Sequence, residues 1–202
     1  SEGEALPVGV TGYHAVPAAV LACCVLFAPC TASADAAAGK RLAAERCAVC
    51  HASTSTGHAT VPLLEGQPKA AFLAQWRDFR ERRRSAPVMV SLAQELDERQ
   101  VGDLADYYSA LQPPARAAPG NDAGRALADR LRCAECHGPA LQGTNAGAAR
   151  LAGQKERYTA WALHLMRSGG RSHGAAAKPD PLLAKLSNDE IESLAGHFAS
   201  LR

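Results

Sequence analysis

The stretch "AGKRLAAERCAVCH", residues 38–51, ends in two cysteines three positions apart with a histidine directly behind the second. The chain spells it again as "AGRALADRLRCAECH", residues 123–137, with one residue more. A repeat of this length marks two copies of one unit, and self-comparison extends the match downstream. "PLLEGQ" (62–67) answers "ARLAGQ" (149–154), and "AAFLAQWRDFR" (70–80) lines up with "RYTAWALHLMR" (157–167). "QELDERQVGDLADYYSAL" (94–111) pairs with "AKLSNDEIESLAGHFASL" (184–201). The copies are residues 36–112 and 121–202, joined by the Pro- and Ala-rich linker "PPARAAPG" at 113–120.

Each copy reads as three main helices, with no strand periodicity, so the fold class is all-α. The first helix runs from Gly39 or Gly124 into the cysteine motif, with Leu42 and Leu127 at core positions. The middle helix carries Phe72, Trp76 and Phe79 in copy one, and Tyr158, Leu163 and Met166 in copy two. The closing helix has the clearest local signal. Ser187 and Glu190 form a capping box, flanked by the staple pair Leu186 and Ile191. Asp97, Gln100, Leu96 and Val101 repeat that design. Tyr108 and Phe198 are expected where the last helix crosses the first, with Gly39 and Gly124 permitting close approach.

Two small domains with only 5% aromatic residues have thin cores, and a large apolar group in each would compensate. Of the seven cysteines, four lie in the motifs, and Cys23, Cys24 and Cys30 lie in "AVPAAVLACCVLFAPCTASA", residues 15–34. That run is short for a membrane span and is interrupted by Pro17 and Pro29. It resembles the apolar region of an export signal, with Ala32-Ser33-Ala34 as a small-x-small cleavage site, so residues 1–34 are expected to be an export segment and the mature chain periplasmic. Cleavage would leave no spare thiol, which suits an oxidising compartment. Residues 1–39 lack the usual basic flank, so a retained anchor or a lipid on Cys23 are the competing readings, and either would bring membrane association. All 22 basic residues follow residue 39 and, with Glu2 and Glu4 gone, face 18 acidic ones. A balance of +4 is too mild to suggest nucleic acid.

A zinc site needs four ligands, and each copy offers one cysteine pair with an adjacent histidine that does not suit a shared tetrahedron. A redox dithiol wants a βαβ context, which is missing. Haem attachment explains the spacing: two thioethers tether the porphyrin, and the following imidazole lies under the iron. The cofactors expected are therefore two covalently bound haem c groups, attached at Cys47 and Cys50 and at Cys133 and Cys136.

Over nearly all of residues 36–202 the chain resembles the dihaem class I cytochromes c, in particular the cytochrome c4 group. The resemblance rests on the paired CxxCH motifs, the "GQ" after each, the "FR" helix, and the "LADYYSAL" and "LAGHFASL" closing helices. It implies two tandem cytochrome c domains with His51 and His137 as proximal ligands. It also implies Met89, in the Pro-flanked loop "SAPVMVSLAQEL", as the sixth ligand of the first iron. The bland alternative for Met89 is a gap-filling core residue. Copy two departs from the pattern: Pro179 aligns with Met89, and "SHGAAAKPDPLLAKLS" holds no methionine. Met166 aligns with Phe79 inside the middle helix. The second iron is left with His173, a deprotonated Lys178, or an open or water-filled position. A Met ligand raises the potential relative to a second nitrogen, so the two haems should differ.

Pro62 stands where the family has a residue whose carbonyl accepts the proximal imidazole N–H, and copy two has Ala149 there. The run Arg80-Glu81-Arg82-Arg83-Arg84 could dock an acidic partner or offset haem propionates, and equally could be a solvated helix end. His58, His164 and His197 read as surface or structural. Taken together these features describe a carrier of single electrons between redox partner proteins such as a membrane oxidase, a reductase or a dehydrogenase. The rival is a haem enzyme, or a haem subunit of a dehydrogenase or reductase, using an open second iron on a small sulfur, nitrogen or peroxide substrate. No acid/base pair stands beside the second motif, so no catalytic residue is assigned.

Overall fold

Asp97 and Ser187 begin the two closing helices as the sequence predicts, and the rest of each copy is arranged around those helices. The computed structural model describes residues 2–3, 9, 35–52, 58–115, 118–174 and 180–202. The chain divides into Ser1–Thr31 and Ala32–Arg202, and every element below belongs to the second unit. The export segment with Cys23, Cys24 and Cys30 lies outside the described residues, as do Lys178 and Pro179.

The first copy contains α1 (Ala36–Arg46), the single turn α2 (Ala48–His51), α3 (Lys69–Arg80), α4 (Pro87–Glu95) and α5 (Glu98–Ala110). The second contains α6 (Asp122–Arg130), the short α7 (Cys133–His137), α8 (Glu156–Arg167) and α9 (Asn188–Ser200). Among the described residues there is no strand, and no helix is long and apolar enough to cross a membrane. α1 packs on α5 and α3 on α4 and α5; α6 packs on α9 and α8 on α9, which makes two lobes with separate apolar clusters.

Both capping boxes form. The Asp97 carboxylate accepts the Gln100 N–H at 2.8 Å, and the Ser187 hydroxyl accepts the Glu190 N–H at 3.2 Å, each with the reciprocal bond present. Such a cap satisfies donors that the helix itself leaves orphaned. Asp97→Ala should cost about 1 kcal/mol and lower the urea midpoint of the first lobe. Asp97→Asn, which keeps an acceptor oxygen, should stay close to the parent.

The crossing of first and last helix is set by a glycine in each lobe. A Cβ on Gly39 would lie 2.0 Å from the Asp103 carbonyl oxygen, and one on Gly124 2.0 Å from that of Ser193. Tyr108 and Phe198 are buried on α5 and α9 as expected. Phe72 stacks on both Trp76 (centroids 6.4 Å) and Tyr108 (5.9 Å), which builds the aromatic side of the first core. The second core is mostly aliphatic, with Ile191 and Leu194 at its centre and Phe198 as its buried aromatic ring.

Three features differ from the sequence reading. The segment around Met89 is a helix rather than a loop. Pro87 occupies the first turn of α4, where its missing N–H is not needed, so it starts a helix instead of breaking one. The extra residue of the second motif is absorbed at Arg132, which sits at φ 58° between α6 and α7. Lastly, Tyr158 faces the other lobe instead of completing its own core.

Candidate functional site

His51 closes α2 and is buried; its Nδ1–H donates to the Pro62 carbonyl at 2.9 Å. His137 closes α7, and its Nδ1–H donates to the Ala149 carbonyl at 2.7 Å. A carbonyl can only accept, so both tautomers are fixed and each ring keeps Nε2 as a lone-pair donor. The contact is made in both copies because it uses a backbone atom, indifferent to whether Pro62 or Ala149 supplies it. Burial holds both imidazoles below the usual histidine range, which keeps them neutral. The four motif cysteines are not joined in disulfides. Burial pushes the Cys133 thiol up to about 11 and raises that of Cys47, so neither is a reactive thiolate.

Met89 lies on the first turn of α4, half-buried against the first core, in the same cluster as Cys47, Leu64 and Phe72. In the second lobe His173 comes to His137. Their ring centroids are 5.9 Å apart and the planes differ by 9°. One metal atom bridging two imidazoles separates the ring centres by roughly 6 Å, given metal–nitrogen bonds of about 2 Å. The His173 Nδ1–H donates to Asp180 Oδ2 at 2.5 Å, so this ring too keeps Nε2. Met166 remains in α8, packed on the second core.

The residues fit a haem on independent grounds. Among the described residues, Trp76 Nε1 and Arg171 Nε are buried donors with no protein acceptor. Such groups cost free energy unless something supplies an oxygen, and haem propionates are carboxylates. In both lobes large apolar side chains are only partly covered: Leu64, Phe72 and Met89 in one, Leu131, Leu151 and Leu163 in the other. A flat apolar ring would complete those cores.

The "GQ" repeat holds the lobes together reciprocally. Gln154 is buried; its Oε1 accepts the Leu63 N–H at 2.8 Å and its Nε2 donates to the Leu63 carbonyl at 3.0 Å. Gln67 does the same to Arg150, with both bonds at 3.0 Å. Leu63 and Arg150 are equivalent positions, each directly after the carbonyl that orients a CxxCH histidine. Each lobe therefore clamps the peptide that steers the other lobe's imidazole.

The basic run is less of a surface patch than its composition suggests. Arg80 donates to the Ala93 carbonyl at 3.0 Å and the Leu96 carbonyl at 2.6 Å, and Arg83 pairs with Asp78 and Glu81. Arg84 is buried, lies 4.5 Å from the Phe79 ring centre, and donates to the Tyr158 hydroxyl at 3.1 Å. Arg171, the equivalent residue of copy two, donates to the same hydroxyl at 3.1 Å and to Gln75 at 2.9 Å. Burial alone would raise the Tyr158 phenol, but Arg171 and Arg84 outweigh it and lower the phenol to about 8. Sequence reasoning missed this cluster, the glutamine clamps and Asp180. The signal for the first two was the regular repeat register of Gln67 with Gln154 and Arg84 with Arg171.

Two CxxCH histidines with fixed tautomers, each in its own helical lobe, define a c-type cytochrome with two centres. Residues 122–201 match the cytochrome c family. A thiosulfate dehydrogenase electron acceptor from Stutzerimonas stutzeri is 30% identical over 177 residues, 81% of this chain and 82% of the relative. A cytochrome c4 from Pseudomonas aeruginosa is 30% identical over 182 residues, 84% and 90% of the two chains. The solved cytochrome c4 of Acidithiobacillus ferrooxidans superposes with a TM-score of 0.68 at 27% identity, covering 78% of this chain and 99% of that one. The chain belongs to the cytochrome c4 family: a dihaem electron carrier with two covalently bound haem c groups that works with redox partner proteins.

Proposed function

We propose that the chain is a periplasmic carrier that takes single electrons from a dehydrogenase, of which one oxidising a sulfur oxyanion is the best-supported class, and passes them to a terminal oxidase or reductase. The observation that carries this over the enzyme reading is the ring of His173, 5.9 Å from that of His137. A histidine there takes the coordination position that a small substrate would need. The similarity to a thiosulfate dehydrogenase electron acceptor supports the choice of donor.

In this reading His51 and Met89 would hold the first iron, and His137 and His173 the second. Each haem supplies a metal that gains and loses one electron without a bond being made or broken. The protein holds the ligands still, keeps water from the apolar faces, and neutralises propionate charge with Arg84 and Arg171. Residues 36–112 and 121–202 act as the two cytochrome domains, and residues 1–34 as the export segment.

The ferric protein, mixed with a thiosulfate-oxidising dehydrogenase and thiosulfate, should be reduced at both haems, while thiosulfate alone should leave it ferric. Cyanide should bind slowly at both centres. Thiosulfate turnover by the chain alone, or rapid cyanide binding at one haem, would reverse the assignment in favour of an enzyme.

A further inference from the structure

We infer that Asp180 is a positioning residue for the second metal centre: its buried carboxylate holds the His173 ring through Nδ1, commits Nε2 to the iron, and sets that haem at a lower potential than a carbonyl-held histidine would. The inference rests on the ligation proposed above, and its test separates the two.

Three histidines line the two centres, and each spends Nδ1 on an oxygen. His51 and His137 donate to the neutral carbonyls of Pro62 and Ala149, whereas His173 donates to a carboxylate at 2.5 Å. Hydrogen bonds to an ionised acceptor are about twice as strong as neutral ones. A carboxylate behind a ligating imidazole fixes its tautomer and raises its basicity, which favours the more highly charged, oxidised metal. The Asp180 side chain is only 5% exposed, so water is kept from the carboxylate side of the interaction.

Asp180 is itself firmly held. Its Oδ1 accepts the Leu182 N–H at 2.7 Å, and its backbone carbonyl accepts the N–H groups of Leu183 and Ala184 at 3.1 and 2.8 Å. This turn leads into buried Leu186 and the capping box of α9, so the carboxylate is tied to the start of that helix. The first centre has nothing comparable, because a Met89 thioether has no N–H to share. The two lobes are thus graded, and an electron on the pair rests on the first.

Four proteins test this as intact holo-chains: parent, Asp180→Asn, Asp180→Ala and His173→Ala. Asp180→Asn has one carbonyl oxygen for the two N–H groups of Leu182 and His173, so it removes the charge and leaves at most a neutral acceptor behind the His173 Nδ1. It should leave both haems low-spin, yet raise the midpoint of the second, changing its reduced-to-oxidised ratio by roughly tenfold at fixed ambient potential, with the first unmoved. Asp180→Ala should shift the same midpoint at least as far. An unchanged midpoint in Asp180→Asn, or equal movement of both haems, overturns the role of Asp180. His173→Ala should make one haem high-spin and open to carbon monoxide, with imidazole restoring the low-spin spectrum. No spectral change there would overturn the ligation instead.

Discussion

Gly124→Ala should lower the unfolding midpoint of the second lobe by on the order of 10–20 °C, a large effect for a single methyl group. Alanine favours a helix over glycine by about 1 kcal/mol, so propensity alone points towards stabilisation. Geometry wins, because the new Cβ would sit 2.0 Å from the Ser193 carbonyl oxygen and 2.7 Å from Cβ of His197. Neither neighbour is the end of a flexible side chain. α6 would have to lift off α9, uncovering Leu127 and Leu194 and displacing the α7 motif attached to its end. The net cost is about 3 kcal/mol, read as a Soret-detected melt in which one haem's environment is lost early. Gly39→Ala should do the same to the first lobe against Asp103. Gly120→Ala, with no atom within 4 Å, serves as a control and should be silent. A melt of Gly124→Ala within a degree or two of the parent would mean the helices are not in such close contact.

Gln154→Ala should cost about 2–5 kcal/mol, because it strands both the N–H and the carbonyl of Leu63, a residue only 3% exposed. Its counterpart Gln67→Ala should cost about 1 kcal/mol, since Gln67 and Arg150 are only half-buried and water can reach the freed groups. The two variants therefore differ although the bonds they delete are equivalent. Urea unfolding followed at each haem reads the effect: in Gln154→Ala the single transition should separate into two. The carbonyl of Pro62 adjoins the freed peptide, so the proton signals of the His51 ring should also shift, though His51 belongs to the other lobe. Equal costs for the two variants would show that burial does not decide the matter.

The parts of the fold legible in sequence were those governed by neighbours in the chain. Capping boxes at Asp97 and Ser187 are local, and the glycine crossings followed from the repeat. Where the reading fell short, one residue type had two meanings. Proline can open a helix as well as break one, so the segment at Pro87 read as a loop where the structure has α4. Five residues with four arginines suggested a solvated patch, while tertiary structure buried Arg84 against Phe79 and Tyr158. At the candidate site, CxxCH announced itself, and the acceptor carbonyl was expected at Pro62, whereas the matching contact at Ala149 was open until the structure showed it. Asp180, between two prolines, carried the signature of a turn and nothing more, because its contact with His173 is made by tertiary structure and has no local sequence pattern.

The exchange between Gln67 and Gln154 has the symmetry of an isologous contact, in which one patch meets its own copy. It is a homodimer written into one polypeptide. Recognition is carried by glutamine amides and main chain, so the side chains at the gripped positions are free to diverge, and one is leucine while the other is arginine. The connecting segment then raises the local concentration of each half for the other. A chain nicked beyond Pro114 should stay paired, with each half still gripping the peptide behind its partner's histidine.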